Sequence, residues 1–337
     1  MELSDNAKKV LNDPSRIKRR DQWFIHLQDL LDGEREGEVV IKGVRGRAKD
    51  DALLFANPEQ WVIESLENLA AQIDRCDNDN AFVPPCVEPG LYGVHFVDSL
   101  FGANVYYDTG AQQWYNDYLT TDVGTLVYPN LEACEIWSIA QRSAKAFVAQ
   151  EVALPLFGLP TVASVLNIAV NLYGQNILAA MLVEPEDAAH DLSIINDVLM
   201  ALHRWYRSVI PAQQLQPVVS WQRTQPPEYG QICGCTTQLI SASVYDEMIA
   251  MHDNALLGVY PNGGLLHLCG SHSHLIPSFA AMPNLRAIQI NDRAAHDLEL
   301  YFHGLREDQI IYIGECEGMP LKRVMEITGG RRLVVIA

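Results

Sequence analysis

Residues 264–270 read GLLHLCG, a short apolar run that holds a His-x-Cys pair and is bounded by glycines. An apolar run of this length between glycines predicts a buried strand. Side chains two positions apart on a strand project from the same face, so His267 and Cys269 are expected to lie side by side at its end. Imidazole and thiolate are ligands that zinc prefers, which makes the pair a candidate metal site. The alternative is a core cysteine beside a hydrogen-bonded histidine.

The run lies within a regular alternation of strands and helices. The predicted strands of the second half cover 231–236, 265–269, 285–291, 309–314 and 331–336, and the helices between them cover 244–257, 274–281, 294–305 and 321–328. Strands that alternate with helices predict a parallel sheet.

The first half shows the same alternation from residue 81 onward. Strands are predicted over 81–83 and 152–157, and helices over 131–150 and 185–209; before them stand helices over 15–31 and 58–76 and a strand over 38–41. About eight strand–helix units favour a (β/α)8 TIM barrel. The sequence lacks both the G-x-G-x-x-G and the P-loop pattern of nucleotide-binding folds. We predict a helical and irregular N-terminal extension, residues 1–79, that packs on a barrel formed by residues 80–337.

Composition narrows the class of protein. The chain has 337 residues and a formal net charge of −18, which argues against a nucleic-acid partner. No apolar run reaches membrane-spanning length without polar interruption, and residues 1–30 lack the apolar core of a secretory signal. Seven cysteines without framework spacing indicate thiols or metal ligands rather than disulfides. We therefore expect a soluble cytoplasmic protein without a membrane partner.

Metal-ligating or acidic side chains follow the ends of successive predicted strands. They are Cys233 and Cys235, then His267 and Cys269, then Asn291 and Asp292, then Glu315, Cys316 and Glu317. Catalytic groups of a barrel lie where strands end, so these side chains are expected to meet at one rim. The sequence therefore predicts a metal site there.

Several segments also carry a family pattern. Residues 266–270 match an H-x-C-G strand end, and Ser241, Tyr245 and Glu247 match the second half of a D-x-W-x-x-x-x-S-x-x-x-Y-x-E block. Further similar segments are 88–90, 101–102, 157–161 and 174–185. In these features residues 80–337 resemble the uroporphyrinogen decarboxylase superfamily, and within it the zinc-dependent methyltransferases that act with corrinoid proteins.

The chain departs from the decarboxylases of that superfamily. Pro84, Pro85 and Cys86 stand where the strand-end aspartate of those enzymes is expected, and neither their arginine-rich N-terminal segment nor their late G-H-G histidine is found at the matching places. Decarboxylation of porphyrinogens is therefore not expected.

The resemblance implies one catalytic zinc held by an H-x-C…C set. In those methyltransferases the third ligand is a cysteine after the last barrel strand, whereas here the last predicted strand is followed only by Ala337. Either Cys316, one strand earlier, is that ligand, or the site is rearranged and Cys235 takes its place. No stretch resembles the corrinoid-binding D-x-H-x-x-G signature, so the resemblance implies a corrinoid carried by a separate protein.

Other residues are candidates for catalysis and substrate binding. Glu88, Asp292 and Glu315 are candidate catalytic residues, as a fourth ligand or a proton acceptor; the alternative is solvated loops or helix caps. His272 is expected at the mouth of the site or as a loop residue. A dense aromatic group either walls a pocket for an apolar, methoxyaryl-like substrate or packs over the mouth; it comprises Tyr106, Tyr107, Trp114, Tyr115 and Tyr118.

The expected function is transfer of a methyl group between a corrinoid protein and a thiol, methoxy or methylamine compound. Two alternatives remain open: a lyase related to uroporphyrinogen decarboxylase that needs no metal, and a small-molecule-binding barrel without catalysis. Because the sequence ends directly after the last predicted strand, apolar surface there is expected to be covered by the N-terminal segment or by a second subunit in a homodimer.

Overall fold

The computed structural model describes residues 2–216 and 221–337, which form a mixed α/β structure with parallel sheets. The strands are β1 Val39–Ile41, β2 Val44–Gly46, β3 Pro85–Val87, β4 Val105–Asp108, β5 Gln113–Asn116, β6 Leu156–Gly158, β7 Leu215–Gln216, β8 Gly230–Cys233, β9 Gly264–Leu268, β10 Leu285–Ile290, β11 Ile310–Gly314 and β12 Leu333–Ile336. The α-helices are α1 Asp5–Leu11, α2 Pro14–Leu31, α3 Leu53–Ala56, α4 Pro58–Ala71, α5 Phe96–Leu100, α6 Glu135–Ala149, α7 Val165–Tyr173, α8 Gln175–Val183, α9 Pro185–Val209, α10 Ala242–Val244, α11 Ala250–Leu257, α12 Ile276–Ala281, α13 Asp292–His296, α14 Leu298–Gly304 and α15 Leu321–Thr328. A π-helix, Tyr245–Ile249, joins α10 to α11.

The parallel strands form two sheets. One has the order β1-β12-β11-β10-β9-β8 and the other the order β2-β3-β6-β7, while β4 and β5 form a separate antiparallel hairpin. Isolated parallel bridges join Ile41 of β1 to Phe82, just before β3, and Cys233 of β8 to Ala163, after β6. The expected alternation of helices and parallel strands is confirmed, and closure of the sheets into a barrel stays a prediction.

Alternate residues of the larger sheet pack into two apolar clusters. On one face, Leu266, Ile288, Ile311 and Val335 join the helices that connect the strands. On the other face, which we call the inner face, Leu265, Ala287, Tyr312 and Val334 join Phe24, Leu27 and Leu30 of α2. Burial on both faces explains why these strands are almost continuously apolar, since each fully buried Leu or Ile stabilises the fold by roughly 2 kcal/mol.

The residues on the inner face change from apolar to polar along β9 and β10. Leu265 is followed on the same face by His267, and Ala287 by Gln289, and both polar side chains are buried. The starts of β9 and β10 thus contribute to an apolar core, and their carboxyl ends contribute polar groups. The functional candidates lie at this polar end.

The N-terminal segment takes part in both sheets. β1 pairs in parallel with β12, and β2 pairs in parallel with β3. Val334 and Ile336 of β12 lie in the same buried cluster as Phe24 and Leu27 of α2. The segment therefore covers apolar surface of the last strand, and the boundary between residues 79 and 80 stays a prediction.

Element bounds agree with the sequence at some helices and differ at others. The predicted helices 185–209 and 321–328 coincide with α9 and α15, whereas the predicted helix 294–305 is divided at Asp297 into α13 and α14. The aromatic stretch around residues 105–116 forms the β4–β5 hairpin. Within the part of the chain that the structure describes, no single helix is long and apolar enough to cross a membrane; α7 and α8 meet those criteria only together, as a pair bent by 111°.

Asp253 of α11 is a fully buried acid that contacts two other helical segments. Its Oδ2 accepts a hydrogen bond of 3.0 Å from the hydroxyl of Tyr245 in the π-helix. The Ser164 hydroxyl, just before α7, interacts with the same carboxylate. Burial raises the pKa of Asp253 to about 7, and the nearby Ser164 hydroxyl and the hydrogen bond from Tyr245 offset this only in part.

We predict that the contribution of Asp253 to the free energy of unfolding falls as the pH rises from about 4 to 7. In this window the unfolded chain has lost the Asp253 proton while the folded chain retains it, so the folded state binds more protons and loses stability as the pH rises through its pKa of about 7. Asp253→Asn keeps the size of the side chain and should remove up to about 4 kcal/mol of this pH dependence. Urea unfolding across the window measures it, with the exposed neighbour Asp246→Asn as control. Equal pH slopes in the two variants would contradict the assignment.

Candidate metal centre

Cys235, His267 and Cys269 form a compact group of potential metal ligands. One ligand atom from each lies within 4.8 Å of the others. The two sulfurs are 3.3 Å apart, and the Cys269 sulfur lies 2.9 Å from Nε2 of His267. The grouping follows from strand register: Cys233 of β8 pairs with His267 of β9, so the residues two positions further along, Cys235 and Cys269, also face each other.

Two glycines set the close start of β8 and β9. A Cβ atom on Gly264 would lie 2.2 Å from the carbonyl oxygen of Gly230, far inside any real contact. Only glycine allows this approach of the two backbones. The register that places the ligands together therefore begins at this glycine pair.

Hydrogen bonds orient the ring of His267. Its Nδ1 contacts Oε1 of Gln289. The same Oε1 accepts a 3.0 Å hydrogen bond from Nε of Arg223. The amide nitrogen of Gln289 donates a 2.6 Å hydrogen bond to Asn291. Because Oε1 can only accept, Nδ1 carries the proton and Nε2 keeps its lone pair on the side of Cys269. A metal-binding histidine needs this arrangement.

The protonation states suit metal binding. A hydrogen bond from the Cys235 thiol lowers the pKa of Cys269 despite partial burial. The same hydrogen bond raises the pKa of Cys235, which is the partner that keeps its proton. Burial lowers the pKa of His267, so the imidazole is neutral. Thiolate and neutral imidazole are the forms that coordinate zinc, and two sulfurs and one nitrogen within reach of one ion fit that metal.

The loop that carries Cys235 is held from both sides. Oδ1 of Asn167, on α7, accepts hydrogen bonds from the backbone nitrogen and the hydroxyl of Thr236, at 3.1 and 2.6 Å. His272, expected at the mouth of the site, is instead fully buried, and its Nδ1 donates to the Gly270 carbonyl over 2.9 Å. It packs against the backbone of Cys235 rather than lining an open cavity.

Cys316, Asp292 and Glu315 lie apart from the group. Cys316 is absent from it among the described residues, and its backbone pairs with Met319. It follows β11, which is separated from β9 by β10, a spacing of roughly 10 Å between strands. Glu315 accepts a 2.6 Å hydrogen bond from the Leu321 backbone nitrogen at the start of α15, and Asp292 is exposed at the start of α13. Of the two cysteines that the sequence left open, Cys235 is the one beside Cys269.

A separate cavity of about 840 Å³ collects other predicted residues. Glu88, Tyr107 and Trp114 line it, together with Arg45 and Arg47. Nε of Arg45 lies 3.2 Å from a Glu88 carboxylate oxygen. Tyr106 points elsewhere: it stacks on Tyr115 with ring centroids 6.2 Å apart, and neither ring lines the cavity.

Four residues of these sites were missed by sequence reasoning. Gln289 and Arg223 orient His267, and Arg45 and Arg47 line the cavity. The sequence does contain a signal for Gln289, because it is a polar residue in an otherwise apolar predicted strand. Arg45 and Arg47 stand two positions apart just after a predicted strand, but nothing local indicates that a hairpin sixty residues later lines the same cavity.

Comparisons with known proteins bear on the fold. No protein-family model matches the sequence, and no curated protein does either. The structure is similar to a methyltransferase from Methanosarcina mazei, with 12% sequence identity and a TM-score of 0.59 over 95% of this chain and 92% of that chain. The metallated form of the homocysteine methyltransferase MmuM from Escherichia coli aligns over 92% of this chain and 94% of that chain with 12% identity, but its TM-score of 0.34 is too low for an argument. At such identity the similarity to the Methanosarcina protein concerns the fold.

We predict that Gln289→Leu weakens Zn²⁺ binding by roughly 10- to 100-fold, because the His267 ring loses the acceptor that selects its tautomer. The apparent Kd is measured by competition with a chromophoric chelator. Gln231→Leu is the matched control. Gln231 lies on β8, which adjoins the His267 strand β9 on the side opposite Gln289. It is also buried, and its side chain has no hydrogen bond within the described residues. An equal loss of affinity in both variants would show that Gln289 does not act through His267.

Proposed function

We propose that this chain is a zinc-dependent methyltransferase of the uroporphyrinogen decarboxylase superfamily, folded as a (β/α)8 barrel. It would move a methyl group between a small molecule and a separate corrinoid protein. The observation that carries the proposal is the group of Cys235, His267 and Cys269 at the carboxyl ends of neighbouring parallel strands. Strand ends of this kind are where barrel enzymes hold catalytic groups. The similar fold of the Methanosarcina mazei methyltransferase supports it.

The protein's contribution is a three-ligand site on rigid elements. Zinc bound there would lower the pKa of a thiol in its remaining coordination position while keeping the sulfur nucleophilic, or would polarise a methoxy or methylamine substrate. Cys235 and Cys269 supply sulfurs from adjacent strand ends, and His267 supplies Nε2. Gln289 holds the proton on Nδ1 and so keeps Nε2 free as a ligand.

The cavity lined by Tyr107 and Trp114, which none of Cys235, His267 and Cys269 lines, is the proposed site for the apolar part of the small-molecule substrate. Aromatic rings bury the apolar part of a ligand at low cost in conformational entropy. Glu88 in the same cavity, with a carboxylate oxygen 3.2 Å from Nε of Arg45, is the proposed proton acceptor. Asp292 and Glu315, at other strand ends, remain candidates for the same role.

The corrinoid is proposed to arrive on a partner protein that docks at the strand ends. A cytoplasmic location and a homodimer belong to the same proposal. The metal chemistry requires neither that location nor a dimer, so the tests below use the chain by itself.

The metal content of purified protein tests the ligand set. We expect about one zinc per chain in the wild type, and loss of zinc in both Cys235→Ser and Cys269→Ser, because a site with two protein ligands holds zinc weakly. Cys316→Ser is the control and should keep its zinc, since Cys316 is separated from the group by a strand. Zinc that is lost with Cys316 and kept without Cys235 would refute the proposed ligands.

Methyl transfer from free methylcobalamin to a small thiol tests the activity. Absorption of the corrinoid follows the breaking of its cobalt–carbon bond. We expect turnover by the zinc-loaded chain, a KM for the thiol raised about 10-fold in Trp114→Ala, and little change in Tyr106→Ala, whose ring lies outside the cavity. A chain that binds zinc but shows no turnover would favour a metal-binding barrel without this activity.

A further inference from the structure

The two cysteines of the metal group are close enough to react with each other. Their sulfurs are 3.3 Å apart, whereas the sulfurs of a disulfide are about 2.05 Å apart. Cys235 begins a short 3-10 helix, Cys235–Leu239, and Cys269 follows the end of β9, so neither residue is held in a strand ladder. The sulfurs must therefore come about 1.3 Å closer to bond, and no strand ladder opposes that movement.

We propose that Cys235 and Cys269 form a reversible disulfide that excludes metal from the site. Bond formation would use both sulfur ligands of the group, which leaves only His267 to hold an ion. Metal and disulfide are thus mutually exclusive occupants of the same place. The part of this proposal that concerns metal release rests on the proposed function, while the disulfide itself rests on geometry alone.

Hydrogen peroxide or an organic hydroperoxide is the oxidant class. One sulfur attacks a peroxide oxygen: a sulfur–oxygen bond forms, the oxygen–oxygen bond breaks, and the departing oxygen takes the thiol proton and leaves as water from hydrogen peroxide or as an alcohol from an organic hydroperoxide. The second sulfur then attacks the first: the sulfur–sulfur bond forms, the sulfur–oxygen bond breaks, and the departing hydroxyl takes the proton of the second thiol and leaves as water. Two thiols lose two electrons in total and the peroxide gains them. A dithiol such as dithiothreitol reverses the change.

The remaining cysteines are placed differently. All seven are free thiols in this structure. Cys233 is buried within β8 and contacts Nη1 of Arg223 at 3.4 Å, and Cys134 contacts the carbonyl oxygens of Leu100 and Asn130. Cys235 and Cys269 are therefore expected to pair first when the chain is oxidised.

The experiment exposes the full-length chain to hydrogen peroxide in two forms, stripped of metal by a chelator and loaded with zinc. Intact mass spectrometry should show a loss of about 2 Da in the metal-free form, and peptide mapping should assign it to Cys235 and Cys269. In the zinc-loaded form the same mass loss should appear more slowly and together with released zinc, read by a chromophoric chelator. Dithiothreitol should restore the mass and the capacity to bind zinc.

Variants separate this disulfide from general oxidation. Cys235→Ser and Cys269→Ser should abolish the mass loss, whereas Cys233→Ser and Cys316→Ser should retain it. A different pair in the peptide map, or only the gain of oxygen on separate thiols, would overturn the proposal. Failure of the chain to bind zinc would contradict the proposed function. The metal-free experiment would still show whether the disulfide forms, because it needs no zinc.

Discussion

Gly230 and Gly264 let β8 and β9 start in backbone contact, and the register that results governs the site. It pairs Cys233 with His267 and so brings Cys235 beside Cys269. A slip of one residue would turn His267 and Cys269 to the other face of the sheet, where Leu266 and Leu268 pack against helices. The metal group therefore depends on a backbone contact between two glycines that are more than thirty residues apart in the chain.

The buried polar groups at the strand ends are stable only as a network. His267 and Gln289 continue the same inner face that holds Leu265 and Ala287, so both are removed from water. Burying a polar group without a partner costs about 1–3 kcal/mol, and here each group has one: His267 meets Gln289, and Gln289 meets Asn291. The same bonds that offset burial also fix the histidine tautomer. Stability and ligand orientation thus have one structural origin.

The N-terminal segment supplies strands, a core helix and cavity-lining residues in addition to covering the sheets. Its strands β1 and β2 pair with β12 and β3, its helix α2 fills the inner cluster, and Arg45 and Arg47 line the cavity beneath the β4–β5 hairpin. Two chemical environments result: a soft cluster of sulfur and nitrogen at β8 and β9, and a cavity that combines aromatic rings with paired charges at β2 and β3. A thiolate cluster is also the part of the molecule most open to oxidation.

By itself the sequence determined the alternation of strands and helices and the shared face of His267 and Cys269. Both are local properties, because the periodicity of apolar residues and the two-residue repeat of a strand need no knowledge of distant contacts. It could not choose between Cys235 and Cys316 as third ligand. That choice depends on strand order: β8 adjoins β9, whereas β10 stands between β9 and β11. Gln289 lies on that intervening strand and acquires its role for the same reason. Arg45 and Arg47 likewise line a cavity together with a hairpin that is distant in the chain. Only tertiary structure decides which strand ends are neighbours.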